Sequence, residues 1–324
     1  MCGIVGIHGR PPTRPVPEES AVLTLLDEAV DHAHDPAAAG GRIDDVNRLL
    51  RGVPGALALI DRREFVSAIV ARLDRLDAAV DAFDAGIESA GLSVEEVEAS
   101  AASSIALRDV LWAVRHDRLR TADAVADLAG RGAGDAAVAG YLAIQQSLSA
   151  IDRLEVRGRD SAGISVFVHH HGLDPADPTV AAALHGRTDD PTYQSGAVVI
   201  EGDVASFVYK AAAEIGELGD NTRQLRDEVR SDDLLRRAFG SGAARVTVLG
   251  HTRWASVGII SEPNTHPLNS DELESSPVGP PSPYVVAALN GDVDNHADLR
   301  VAHELRVHPH VTTDAKVIPT LVAR

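Results

Sequence analysis

The sequence is nearly devoid of thiols: Cys2 is the one cysteine among 324 residues. Intrachain disulfides and multi-thiolate metal sites are therefore excluded. Aromatic residues are scarce, at 3%, so a core must be assembled mainly from Ala, Val, Leu and Ile. Basic residues are in deficit, 30 Lys+Arg against 48 Asp+Glu, which leaves a formal charge of −18. Such a balance argues against nucleic acid or an anionic membrane as a partner. No apolar run approaches the ~20 residues that a bilayer span requires. The opening Met1-Cys2-Gly3-Ile4-Val5-Gly6-Ile7 has no basic region ahead of a long apolar stretch, so no secretory signal is expected. What remains is ordinary globular composition, 44% hydrophobic and 24% charged, in a chain long enough for two domains. A cytoplasmic enzyme or binding protein is the expectation.

The chain changes character twice. Residues 3–8 form a short, Gly-bounded apolar run that predicts a buried strand. From Arg10 to Ile144, Ala, Leu, Asp, Glu and Arg dominate and strand signals vanish. Phe65, Ile69, Leu73, Leu76, Val80 and Phe83 recur at helical spacing and predict one apolar stripe. Ser93 and Glu96 predict a capping box that opens a further helix toward Trp112. Four prolines between Pro11 and Pro17, and Gly130, Gly132 and Gly134, punctuate the ends of this region. Residues 18–130 thus read as a bundle of helices and 135–156 as a long helix leading out of it. After Gly158, Ala162–Val168, Ala197–Glu201, Ala205–Val208, Arg245–Leu249 and Tyr284–Leu289 predict strands. Asn221–Phe239 predicts a helix, Asp271–Pro283 a proline-rich loop, and Asp314–Val322 a helix without a stop signal. The resulting division is 1–9, an inserted helical 10–144, and 145–324 as the remainder of the first domain.

Cys2 directly follows the initiator methionine. Methionine is generally removed ahead of a small residue, so a mature chain would begin with the cysteine. A thiol with pKa of about 8.5 and an α-amine of about 7.7–8.0 would then share one residue. That is a nucleophile with its own base, the N-terminal solution to activating a weak nucleophile. A second-position cysteine alone could equally be an ordinary buried strand residue.

The surrounding text decides between these. Met1-Cys2-Gly3-Ile4-Val5-Gly6 and Arg157-Gly158-Arg159-Asp160-Ser161-Ala162-Gly163 are followed in order by four more segments: His251-Thr252-Arg253-Trp254-Ala255-Ser256, Asn264-Thr265-His266-Pro267, Leu289-Asn290-Gly291, and Thr313-Asp314. Together they resemble the class II, N-terminal-nucleophile glutamine amidotransferases. The Arg253-Trp254 pair is similar to the glutamine–fructose-6-phosphate aminotransferase (isomerising), or glucosamine-6-phosphate synthase, branch. Related phosphoribosyl-pyrophosphate amidotransferases typically carry Tyr after the Arg.

The resemblance implies an α+β fold, the αββα sandwich of N-terminal-nucleophile enzymes, C-terminally incomplete here and carrying the helical insertion. It implies a glutaminase in which Cys2 attacks the side-chain amide, with Asn290 and the Gly291 N–H receiving the oxyanion. Arg253 would fork onto the α-carboxylate of glutamine, where a planar guanidinium suits better than an ammonium. Asp314 would take the α-ammonium, or cap the helix it opens. Trp254 would belong to a loop closing over substrate, although a core aromatic is the plain alternative. Ser256 stands where the family usually has Thr, His266 matches a histidine near the site, and Arg157 and Asp160 would pair and brace the nucleophile. Val257 departs from the family's His and puts loop closure in question.

Implied partners are L-glutamine and, through sugar-isomerase domains absent from this sequence, fructose 6-phosphate. No nucleic acid, membrane, metal or cofactor is implied. His169-His170-His171 point alternately along a strand and converge poorly on one ion, so a solvated loop is expected there. The resemblance touches residues 2–8 and roughly 145–322 and has no counterpart for the insertion, a candidate surface for homodimerisation or regulation. The missing final strands suggest a fragment of a longer synthase. Two other functions stay open: an amidotransferase domain for another acceptor, and a non-catalytic regulatory or interaction module.

Overall fold

The computed structural model describes residues 2–89, 91–188, 190–212, 217–273 and 283–324. It forms two compact units: Pro11–Val138, and Met1–Arg10 joined with Ala139–Arg324.

Strand β1 (Gly3–His8) precedes the first unit's helices α1 (Glu19–Asp31), α2 (Pro36–Leu49), α3 (Gly52–Leu59), α4 (Arg63–Ser89), α5 (Val94–Ala113) and α6 (Arg120–Ala129). The apolar stripe of α4 is buried at Phe65, Ile69, Leu73, Leu76 and Val80, while Phe83 is half-buried. It packs with Val22 and Leu26 of α1, Ile43 and Val46 of α2, and Leu107 and Leu111 of α5. Burying such side chains contributes roughly 1.5–3 kcal/mol each, so this shared core holds the helices together. The capping box forms, with Ser93 Oγ accepting from Glu96 N (3.3 Å) and Glu96 Oε2 accepting from Ser93 N (2.9 Å). Outside the core, Arg108 bridges Asp81 and Asp84, and Arg115 bridges Asp74 and Asp77. These pairs are exposed enough to set alignment more than stability.

The second unit continues through α7 (Asp135–Leu154), β2 (Ser161–His169), α8 (Pro178–Leu184), β3 (Val198–Glu201), β4 (Val204–Ala211), α9 (Asp220–Ser231), α10 (Asp233–Ala238) and β5 (Arg245–Arg253). It ends with the two-residue strands β6 (Leu268–Asn269) and β7 (Val286–Ala287), then α11 (His296–Ala302) and α12 (Val317–Val322). Five strands pair antiparallel in the order β1-β5-β2-β4-β3, and β6 pairs with β7 in a separate ladder. The chain is thus a mixture of helix and antiparallel sheet, as an α+β protein requires. Among the described residues no helix is long and apolar enough to cross a membrane.

Residues opposite one another in a ladder share a face. One face carries Ala162, Ile164, Val166 and Val168 of β2 with Ala205, Phe207, Tyr209 and Ala211 of β4, all buried. Helix α9 packs on β4 and β2. Ile151 and Leu154 of α7 lie against Gly250 and Gly3. The other face carries Ser161, Gly163 and Ser165 of β2, His251 and Arg253 of β5, and Ser206 and Lys210 of β4. That face is polar and nonetheless buried.

Several elements differ from their predicted extent. The Asn221–Phe239 helix breaks at Asp232, whose extended backbone lets its carboxylate accept from Leu234 N (3.0 Å) and Leu235 N (3.1 Å) and cap α10. The same carboxylate binds Arg187 and accepts from Tyr209 OH at 2.8 Å, so tertiary partners fix the break. The strand expected over Tyr284–Leu289 shortens to β7, because Leu289 spends its backbone on two histidines. The predicted loop Asp271–Pro283 lies largely outside the described residues. The histidine run leaves β2 for an exposed turn at His170, as expected, but His171 is buried. His170 turns with φ 56° and pairs with Asp203 at 2.8 Å, while buried His171 accepts from Leu173 N at 2.8 Å. Among the described residues no three His, Cys, Asp or Glu side chains group to hold an ion.

Gly163 is where the polar face meets the segment after β5. A Cβ there would sit 2.4 Å from the His266 carbonyl oxygen, a contact that cannot be kept. We expect Gly163→Ala to lower unfolding free energy by about 1–3 kcal/mol, the usual cost of overpacking, read from urea denaturation midpoints.

Candidate active site

The site is built at the end of β5. There the β1 and β2 ladders place Gly3 opposite Thr252 and Ser161 opposite Arg253. Gly3 N donates to Thr252 Oγ1 at 3.1 Å. A side chain at Gly3 would collide with Leu154 at 2.8 Å, so glycine lets the first strand sit this close. Cys2 is thereby delivered beside the turn that follows Arg253. Trp254 N donates toward Cys2 Sγ at 3.4 Å, and the thiol donates toward Trp254 O at 3.8 Å.

Asn290 reaches the same residue from the other side. Its Oδ1 accepts from Cys2 N (3.3 Å) and its Nδ2 donates to Cys2 O (3.0 Å). Arg253 is buried, and its guanidinium donates to the carbonyls of Val257 and of Ile259 (3.2 Å). Burial pulls its pKa down, opposed by the neighbouring Cys2, Asp160 and Asp314. Asp314 is buried and accepts from Val293 N at 2.5 Å. It does not cap a helix: it is the first residue of a 3₁₀ turn, and its carboxylate points across to another segment. Ser256 Oγ donates to Asp292 Oδ1 at 2.5 Å.

Cys2, Arg253, Trp254, Ser256, His266, Gly291 and Asp314 all line one cavity of about 20 Å³. That volume holds about one water molecule. Trp254, Ser256 and Val257 of the segment 254–259 line it, and the Ser256–Asp292 and Arg253–carbonyl bonds hold that segment in place. Trp254 is 56% exposed, so it is not a core aromatic. Arg157 and Asp160 do not pair. Arg157 is exposed, whereas Asp160 Oδ2 accepts from Ala255 N at 2.7 Å and holds the turn after β5.

Two further residues organise the site that sequence reasoning had given no role, although both stood inside quoted motifs. Asn264 Oδ1 accepts from Thr312 N (2.7 Å) and Thr313 N (2.9 Å), and its Nδ2 donates to His310 O (3.1 Å), which fixes the approach to Asp314. His251 Nε2 donates to Leu289 O at 2.9 Å, and Leu289 N donates to His266 Nδ1 at 3.1 Å. The two rings stack with centroids 4.5 Å apart. Burial pushes the His251 pKa down to about 4 and that of His266 well below the usual imidazole value. Lys210 and Lys316, the chain's only lysines, are both buried and near each other. Burial pulls them down to about 7 and about 8. Lys316 Nζ donates to Asn269 O (2.7 Å) and Oδ1 (2.8 Å), while Lys210 Nζ lies 4.9 Å from the centre of the Tyr193 ring.

With this geometry in hand, comparison with known proteins finds partial similarity to enzymes of one name. The chain is 29% identical over 161 residues to the glutamine–fructose-6-phosphate aminotransferase (isomerizing) of Mycolicibacterium paratuberculosis, covering 49% of this chain and 22% of that protein. Enzymes of the same name from Salmonella paratyphi A and Escherichia coli O6:H1 are 38% identical over 77 residues, 24% of this chain and 11% of theirs. The chain thus matches between about a tenth and a fifth of the length of these curated relatives. No family model matches, and no solved structure matches. The partial similarities support an amidotransferase-like role.

Two pH effects follow. An unfolded histidine binds a proton near 6.5, whereas folded His251 resists protonation until about 4. Its contribution is complete above pH 6.5 and is lost as pH falls toward 4, by about 3 kcal/mol in all. Asp271 and Glu155, whose carboxyls burial pushes up, act in the opposite sense. Denaturation midpoints between pH 7 and pH 4.5 should fall, and His251→Gln should make that fall shallower. Conversely, Lys210 is charged in the unfolded chain up to about 10.5 but sheds its proton near 7 when folded. Stability should rise from pH 7 to pH 10, and Lys210→Met should raise it at pH 7 and flatten that rise.

Proposed function

We propose that this chain is the glutamine-hydrolysing part of an N-terminal-nucleophile amidotransferase, an incomplete αββα sandwich into which residues 10–144 are inserted. The observation that carries this proposal is convergence. Cys2 and Gly291 meet Arg253 and Asp314 around a single cavity, and Asn290 is bonded to the Cys2 backbone, although they come from four separate parts of the chain.

Once Met1 is removed, the Cys2 nitrogen is an α-amine able to take the thiol proton. The thiolate attacks the glutamine carboxamide carbon, and the oxyanion is received by Asn290 Nδ2 and Gly291 N–H. Collapse expels ammonia and leaves a thioester, which water cleaves to glutamate. Arg253 exchanges the two loop carbonyls for the substrate carboxylate, a stronger charge-assisted and bidentate contact. Asp314 takes the ammonium in place of Val293 N. The first exchange loosens segment 254–259 and the second frees the Val293 backbone; together they open room for glutamine, and Trp254 then covers it. The ammonia passes to fructose 6-phosphate in a cytoplasmic synthase whose sugar-isomerase domains lie outside this sequence. The 10–144 insertion is the surface proposed for homodimerisation.

The test is ammonia release from glutamine by a preparation whose N-terminal sequencing reads Cys2 first. Release should fall by about 10³-fold or more in Cys2→Ala, in line with the loss of a covalent nucleophile. Equal release from the Cys2→Ala protein, or none from the trimmed parent, rejects the proposal.

A further inference from the structure

We propose that His251 and His266 are a pair of positioning residues that clamp both backbone hydrogen-bonding groups of Leu289 and so set where Asn290 and Gly291 meet Cys2. This rests on the glutaminase proposal above and names the device that holds its oxyanion donors in place.

The atoms fix the roles of both rings. Leu289 O can only accept, so His251 Nε2 carries a proton and donates to it at 2.9 Å. Leu289 N can only donate, so His266 Nδ1 is a bare lone pair that accepts at 3.1 Å. Each histidine is held to a single tautomer by a different end of the same residue. Their rings stack at 4.5 Å and 25°, and both are almost completely buried. Burial above all, and then neighbouring His251, Arg253 and Lys210, disfavours a proton on His266, which keeps the accepting nitrogen free.

Both halves of the clamp are anchored in the sheet. His251 lies in β5 and pairs in register with Gly163 of β2. The His266 backbone rests directly on that same Gly163, which has no side chain to hold it off. Leu289 is therefore located by the rigid sheet and not by its own loop. The next residue, Asn290, forms two hydrogen bonds to the Cys2 backbone, so a displacement at Leu289 transfers directly to the nucleophile. Both histidines face the cavity edge, yet the ring nitrogens that bond here are turned to backbone. That is the signature of positioning and not of proton transfer.

The bonding nitrogen differs between the two rings, which gives a test without apolar replacements. An Asn amide oxygen substitutes for His Nδ1, and a Gln amide nitrogen substitutes for His Nε2. His266→Asn and His251→Gln should therefore keep kcat for glutamine hydrolysis within about threefold, whereas His266→Gln and His251→Asn should lose about tenfold to a hundredfold, the scale of a 1 Å misplacement. KM for glutamine should stay within about twofold in all four, because uniform binding is untouched. Equal kcat for Asn and Gln at either position overturns the clamp, as does a loss confined to KM. If the parent releases no ammonia, the glutaminase proposal fails by itself. The clamp is then read from hydrogen exchange at the Leu289 amide. Exchange faster in His266→Gln than in His266→Asn supports the clamp, and identical exchange overturns it.

Discussion

The antiparallel ladders that β5 makes with β1 on one side and β2 on the other are the constraint on which the rest depends. They bring residue 2 against residue 254 and seat Arg253 opposite Ser161. Side chains alternate along a strand, so a slip of one residue would exchange His251 and Arg253 for Thr252 at the polar face. Register is protected by the apolar face behind it, where Ile164, Val166 and Phe207 would be driven into the opposite layer. The site is therefore held in place by a hydrophobic core that never touches it.

The polar face carries a cost of its own. Ser161 Oγ, Ser206 Oγ, Lys210 Nζ and His251 Nδ1 are buried without a hydrogen-bond partner among the described residues. A buried group left unpaired costs about 1–3 kcal/mol. A sheet selected only for stability would have no reason to gather four of them on one side. Concentrated polar strain beside a thiol, an arginine and a carboxylate is what a working surface looks like in energetic terms.

Periodic features were the most legible in the sequence. The α4 stripe, the Ser93–Glu96 box and the apolar cores of β2 and β4 each depend on local spacing and short-range hydrogen bonds, whereas β1, expected to be buried, is an edge strand with Ile4 44% exposed. β5 read short, as Arg245–Leu249, because Gly250-His251-Thr252-Arg253 is polar. Ladder bonds are made by the backbone and extend through polar residues whenever both neighbours are present. The break at Asp232 and the shortened β7 were hidden for the same reason, since their partners Arg187, Tyr209, His251 and His266 are remote in sequence. Quoted motif residues did assemble around one cavity, but the Arg157–Asp160 pairing was misjudged. The Asp160 carboxylate has a backbone N–H of Ala255 at hand, which no reading of charge could reveal. Asn264 and His251 went unassigned because the backbone groups they satisfy exist only once the chain has folded.

The two lysines carry a practical corollary. Among the described residues arginine supplies every permanently charged side-chain cation presented to solvent, and Lys210 and Lys316 are 0% and 3% exposed. Amine-directed acylation of the native molecule therefore finds neither ε-amino group on its surface. Conversely, the pace at which a small acylating reagent reaches the Lys210 ε-amine is a clock for the opening of the sheet's polar side.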